Sequence, residues 1–547
     1  MIGSKLSFVL GVTGLAACAS DMSQTGGPNP QSVSVLMQHN DNSRTGWNDH
    51  ETVLTTSNVN TQKFGKVLSL PVDDQLFTQP LVVGHVHIKG GDHNVVYVAT
   101  VNNTLYAFDG DNGTLYWSRN YTASGMRPPT NTDMSGACGG GYVDFSHNIG
   151  IVGTPVIDTT HQAIYFVARS TNGSAFVQHL HAVSLVDGSE LSGSPVAITA
   201  TVPGTGDGNV NNVLTFNGQT ANQRQALTLL NGVVYVTWSS HCDWGPYHGW
   251  ILGYDAVTLQ QRVVYNATPN GSAGGLWESG TGMAADGAGN LYEVVGNGSV
   301  GDSADPTSLT NRSESALKLM PSGSTLQVVS WFTPYDFQFL NDNDMDYGSA
   351  GALLIPGSNY FFTAAKDGTL YLLDKDNMGG YRAGANQVQQ VIQLTSGEMH
   401  FHPAYFKGST KEYVYLWPEN AGLYAIPFDR GTNLLDRNGQ LVMSAGGPTG
   451  HSGAVLSVSS NGSTDGTGIV WASYAVSGDA EHDVSQGALR AFDANDITHQ
   501  LWSSLLNSAR DGPGNYAKFA SPTVANGRVY LPTFSNQVAV YGLLGTQ

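Results

Sequence analysis

One motif recurs eight times along these 547 residues: an apolar strand, a Gly/Asn turn, a strand carrying Tyr, a loop, and a strand ending near Asp. The first copy reads VVYVAT at 95–100 and LYAFD at 105–109. The second reads AIYFVA at 163–168 and LHAV at 180–183, the third GVVYV at 232–236 and ILGYD at 251–255. The fourth reads NLYEVV at 290–295 and SALKL at 315–319, the fifth YFFTA at 360–364 and GTLYLLD at 368–374. YVYL at 413–416 with GLYAI at 422–426, GIVWA at 468–472 with ALRAFD at 488–493, and RVYLPT at 528–533 with VAVY at 538–541 complete the set. The period, roughly 45–65 residues, is near the length of a four-stranded propeller blade. Such strands are short and half-buried, so one repeat alone cannot bury its faces, and stacking repeats around an axis solves this. With 67 glycines and 12% charged residues, the chain otherwise reads as all-β with many tight turns.

The fold expected is therefore all-β: an eight-bladed β-propeller of four-stranded antiparallel blades, spanning 35–547. The last repeat lacks an outer strand, and the run from Phe64 to Leu70 has no other partner. That run is expected to close the ring beside Val538 to Tyr541, which removes the exposed edges.

Two stretches carry a family resemblance: Ala107-Phe108-Asp109 with Trp117, and Ala491-Phe492-Asp493 with Trp502. They resemble the pyrroloquinoline-quinone-type (quinoprotein-like) propeller repeat, shared by quinoprotein dehydrogenases and many other exported proteins. The resemblance covers nearly everything after Val35. It implies that each such Trp docks its blade on the next. The opening 38–46 (QHNDNSRTG) also resembles a family N-terminal signature.

Residues 1–18 read as an export leader. Lys5 precedes the apolar run 6–17, too short to span a bilayer. Leu15-Ala16-Ala17-Cys18 resembles a bacterial lipoprotein signal with Cys18 as the lipidated residue; cleavage after Ala19 and free secretion is the alternative. Residues 19–34 are polar and read as a flexible tether. The protein is thus expected outside the cytoplasm, as a cell-envelope lipoprotein or secreted. Cys138 and Cys242 remain, and in an exported chain they suggest one disulfide, the alternative being two separate thiols. The net charge of −19 repels phosphate backbones and anionic lipid heads. No nucleic-acid partner is expected, and membrane contact only through a lipid anchor.

Strand order sorts the loops. If blades run from the axis outward, the inter-blade connections and the loops between second and third strands share one face. On that face fall Glu278, Asp346 and His400 as candidate catalytic groups. Candidate ligand-binding groups there are Gln79, Arg224, His241, His248, Trp277, His402, His451, His482 and Lys518, with His147 nearby. Residues at inner-strand starts line one funnel, where imidazoles, carboxylates and cations can bind a polar ligand or move protons. The alternative is that long loops simply collect polar residues. Asp342, Asp344 and Asp346 suit calcium. His400 and His402, two apart on a strand, face one side, and a third ligand for zinc or iron would come from elsewhere, such as His451.

Three functions stay open: an exported propeller binding a small polar molecule or polysaccharide, a glycan-active hydrolase or lyase, and a quinone-dependent dehydrogenase. The quinone is not expected, because the chain lacks an adjacent cysteine pair and carries the docking Trp clearly in only two blades.

Overall fold

The computed structural model describes residues 32–443 and 446–545. Cys18 and its leader lie outside the described residues. Eight mainly antiparallel sheets follow one another along the chain, with strands in sequence order except where N-terminal strands join blades seven and eight, and form the eight blades. The first blade runs Leu81–Ile88, Gly91–Ala99, Thr104–Asp109 and Leu115–Asn120. The eighth takes Thr523–Ala525, Arg528–Pro532 and Gln537–Leu543, and its fourth strand is Phe64–Pro71. The closing register runs from Phe64 opposite Leu543 to Pro71 opposite Gln537. The expected closure is therefore present, one residue longer than the sequence pattern marked.

Four strands per blade is the rule, with local departures. Blade seven adds Trp47–Asn48 in parallel beside Ala454–Ser459. Blade three splits its inner strand into Ala221–Asn222 and Thr228–Leu230. A hairpin of Thr201–Pro203 and Val213–Thr215 forms its own two-stranded sheet and packs Leu214 into the core shared by blades two and three. Ser32 and Val33, within the stretch read as a tether, hydrogen-bond Asn94 and Asn526.

The core is a ring of apolar clusters, each shared by two neighbouring blades. The recurring Tyr has a consistent role in four of the eight blades. Tyr97, Tyr165, Tyr415 and Tyr530 each donate to a carbonyl just past the third strand of the next blade, on Leu185, Ala256, Ala494 and Gly110. Trp117 does the same through its indole N–H to Leu185, 3.1 Å away. Trp502 packs edge-on against Phe64 and Tyr541 of blade eight at 5.1 and 5.4 Å. Both tryptophans dock one blade on the next, as the resemblance implied.

The stretch 35–48 touches the inner strand of every blade. Val35 pairs with Val82 of blade one, and the Leu36 carbonyl accepts from Ile157 of blade two. The Arg44 guanidinium donates to Thr228 of blade three. The carbonyls of Asn42, Ser43, Thr45 and Gly46 accept from Ala285, Leu354, Tyr405 and Val458 of blades four to seven. The Asn48 amide donates to Val524 of blade eight. His39, Asn40, Arg44 and Gly46 all adopt positive φ, the tight turning this path requires. Among the described residues no helix is long and apolar enough to cross a membrane.

Two substitutions test the docking contacts. Trp502→Ala empties a fully buried site at the closure and should cost about 3–5 kcal/mol. Tyr165→Phe loses one buried hydrogen bond and should cost about 1–3 kcal/mol. Urea unfolding followed by near-UV dichroism checks both, and equal costs would mean that closure and docking are not distinct.

Candidate functional site

Stretch 35–48 seals the axis from below. Gln79 accepts from the His39 backbone N–H at 3.1 Å and donates to Thr523 at 3.0 Å. His39 and His402 meet edge to face at 4.9 Å, and both lie near Ser521. His402 Nε2 hydrogen-bonds the Ser279 carbonyl. Above this buried polar floor, a cavity of about 160 Å³ opens toward the face that collects the inter-blade connections. All but one of those connections reach it, from Phe77 before blade one to Lys518 and Phe519 before blade eight, and blade three reaches it instead through Asn222 and Arg224, in and just after the first piece of its split inner strand.

Of the residues singled out in sequence, Arg224, Trp277, Asp346, His400, His451, His482 and Lys518 line this cavity. So does Asp344, but Asp342 does not. It ends the short helix Phe337–Asp342 and borders a shallower recess, so the three aspartates do not converge on one point. Gln79 and His402 belong to the floor. Glu278 sits behind Ser279, where its Oε1 accepts from the Val294 N–H. His241 lies behind the wall, 2.8 Å from both Tyr142 Oη and an Arg169 N–H. Because Arg169 must donate, His241 carries its proton on Nδ1, toward Tyr142. His248 is held by Thr268 and the Asp207 carbonyl. His147 pairs with Asp74 outside the cavity.

The i, i+2 spacing of His400 and His402 does not place them together. His402 drops into the floor layer, while His400 meets His451 with ring centroids 4.4 Å apart. Both imidazoles face Glu419, at 2.9 and 3.3 Å.

Cys138 and Cys242 form the disulfide, with Cα atoms 5.4 Å apart, and both line the cavity. Cys138 comes from the first inter-blade connection and Cys242 from a blade-three loop, as the face argument expected.

Low solvation governs the charges. Burial pushes the Asp346 carboxyl up to about 7, with Asp243 and Asp344 adding repulsion. Burial holds His400 down at about 4 and draws Lys518 down to about 8. Behind the wall, burial pushes Glu293 up to about 8. Glu278 is raised by burial and then by Glu293.

Arg224 stands out among the cations. Its guanidinium lies 3.6 Å over the Phe519 ring. It feels Asp144 and Glu481 at a distance, yet among the described residues its side chain has no hydrogen bond or ion pair. Lys366 by contrast pairs with Asp344 at 2.9 Å, and Lys518 donates to the Glu481 carbonyl. The sequence reading missed Glu293, Glu314, Glu419, Glu481 and Phe519. Glu293 hides inside a strand motif, and the rest sit in loops with no pattern to mark them.

No family model matches the sequence, and no curated protein matches it. Solved structures do match in fold. The quinohemoprotein alcohol dehydrogenase ADHIIG from Pseudomonas putida HK5 aligns over 94% of this chain and 81% of its own, at 13% identity and a TM-score of 0.56. A quinohemoprotein alcohol dehydrogenase from Comamonas testosteroni aligns over 91% and 76%, at 14% identity and 0.56. A europium-containing methanol dehydrogenase aligns over 91% and 88%, at 12% and 0.56. The fold is thus the quinoprotein-like propeller.

Two outcomes follow from this geometry. The disulfide closes a separation of 104 residues, so Cys138→Ser/Cys242→Ser should lose up to about 4–5 kcal/mol in urea unfolding. Glu293 keeps its proton to about pH 8 when folded, against 4.5 as an ordinary carboxyl. The folded chain then binds more protons across that window, so this group makes stability fall as pH rises through it. Glu293→Gln should lose less stability than wild type between about pH 5 and pH 8; an unchanged slope would refute the shift.

Proposed function

We propose that the axial cavity binds a small carboxylate-bearing molecule. One observation carries this reading: the half-buried Arg224 guanidinium, stacked on Phe519 with no side-chain hydrogen bond or ion pair among the described residues. A cation drawn partly out of water without a partner is destabilised, and a planar guanidinium matches a carboxylate with two parallel hydrogen bonds. Lys518 adds a second cation on the same wall. Asp346 supplies a group that exchanges its proton near neutral pH, and the neutral imidazoles of His400 and His451 can accept one. An acidic sugar meets these demands, whether free or as part of a polysaccharide. The leader and the disulfide support a site of action outside the cytoplasm, in the cell envelope or free of it.

A second reading, a quinone site, is favoured by a specific observation. The chain lacks an adjacent cysteine pair and carries the docking Trp clearly in only two blades, yet the Cys138–Cys242 bridge lines the cavity together with Trp277. The solved structures of like fold include quinohemoprotein and methanol dehydrogenases. The residues present fit a planar tricarboxylic quinone. Arg224, Lys518 and Lys366 would hold its carboxylates, and the buried indole N–H of Trp277 has no partner. Asp344 would help to hold a divalent ion such as calcium beside it. When bound, such a group supplies two-electron oxidation. Asp346 would take the substrate proton, and the disulfide and Phe519 would exclude water.

Calorimetric titration with a uronate, citrate and pyrroloquinoline quinone tests both readings. Arg224→Gln should weaken carboxylate binding by about 30-fold or more, while the uncharged alcohol analogue of the uronate binds neither form. Equal binding of every carboxylate by wild type and Arg224→Gln would overturn the carboxylate reading. Dye-linked alcohol oxidation that appears only with quinone and calcium would select the second.

A further inference from the structure

A cluster of different chemistry adjoins the cavity, and it stands whatever Arg224 binds. His400 comes from the connection between blades five and six, Glu419 from a blade-six loop, and His451 from the connection between blades six and seven. The Nδ1 atoms of both histidines face the same oxygen, Glu419 Oε1, at 2.9 and 3.3 Å. One ligand atom from each of the three residues lies within 4.8 Å of the others. Two further carboxylates flank them: Glu398 3.6 Å from His400 Nδ1, and Glu481 3.8 Å from His451 Nδ1. Two ring nitrogens thus share one carboxylate oxygen, inside a half-ring of three acidic side chains.

We propose that His400, Glu419 and His451 hold a zinc-class divalent transition-metal ion. The spacing suits it: ligands of a tetrahedral zinc ion, at about 2.0–2.1 Å each, lie about 3.3 Å apart. The donor set suits it as well. Two imidazoles and a carboxylate select zinc or iron(II), whereas calcium takes about six to eight oxygens. The ligands are also held from outside the cluster. The Glu419 backbone N–H donates to the Glu398 carbonyl, and the Ala454 N–H, just past His451, donates to the Trp417 carbonyl two residues before Glu419.

The place of the cluster gives the ion access on two sides. His451 and Glu481 border both the axial cavity and a small outer recess, His400 borders the cavity, and Glu419 borders the recess. The recess is an entry path for a hydrated ion. Three protein ligands leave a fourth position open, for water, for Glu481 or for a ligand oxygen in the cavity. An ion there would polarise that oxygen.

The test uses the exported protein stripped with a chelator and titrated with Zn²⁺ and with Co²⁺. One equivalent of Zn²⁺ should bind, and Co²⁺ should give the visible bands of a four- or five-coordinate nitrogen–oxygen site. Glu419→Gln, which keeps side-chain volume, and His400→Ala/His451→Ala should each weaken Zn²⁺ binding by about tenfold or more. Thermal melts of each variant control for folding, and the Co²⁺ spectrum of wild type needs no variant. Asp479, Glu481 and His482 form a second, more exposed set, so His482→Ala separates the two. It should leave Zn²⁺ affinity within about twofold, and a large loss there would move the ion to the exposed set and overturn the proposal. Absence of stoichiometric uptake by wild type, or wild-type affinity in both Glu419→Gln and the double histidine variant, would overturn it too. Arg224→Gln removes a nearby positive charge and should not weaken Zn²⁺ binding, so the metal site and the carboxylate reading can fail separately.

Discussion

The hydrogen bonds from stretch 35–48 to the inner strands of all eight blades are the constraint on which the rest depends. In a propeller each innermost strand turns one edge of N–H and C=O groups toward the axis. Leaving those groups unpaired in a dry channel is expensive. The stretch meets them with its own carbonyls at four successive blades. Its Arg44 reaches into the channel to donate to the Met283 and Gln38 carbonyls and to Thr228. A buried guanidinium held by oxygen dipoles, with Glu278 and Glu293 drawing on its charge, locks the stretch in place. Closure of the outer edge by Phe64–Pro71 comes from the same part of the chain. One N-terminal segment thus completes the ring on the outside and fills it on the inside.

Filling the axis from one side leaves the other side as a blind cavity, and that sets the electrostatics of the site. The groups lining the cavity are poorly solvated, so each charge there is felt strongly. The ring then distributes chemistry by position. The break in blade three's inner strand brings Arg224 and the seventh connection Lys518, the fourth brings the aspartates, and the fifth and sixth bring His400 and His451. Carboxyls raised toward neutrality and imidazoles held neutral sit within one chamber with an unpaired cation. The groups that the proposed carboxylate and metal sites call on thus come together without any motif that is continuous in sequence. The disulfide fastens two of the contributing loops over it.

How much of this was legible follows from what repeats. Blade number, strand limits and the closing partner all rest on local apolar alternation, which any stretch displays on its own. Trp117 and Trp502 were marked for docking by short motifs, and the recurring Tyr was visible before its inter-blade role was. The funnel face was legible too, since strand order alone assigns each loop to one end. Depth was not legible. His400 and His402 look equivalent in sequence, yet one lines the cavity and the other lies in the floor, because the floor belongs to a segment over 350 residues away in the chain. Glu293 looks like one polar position in a strand, and only the blade packing brings it beside Glu278.

By itself, then, the sequence determined a closed eight-bladed ring, its seam and the face that carries polar loops, because these depend on periodic burial and chain order. The tertiary structure alone decided which polar residues share a cavity, that Arg224 is left unpaired, and that two histidines from different blades meet one glutamate. Those outcomes depend on distances across the axis, and residues facing one another across a ring have no regular separation along the chain.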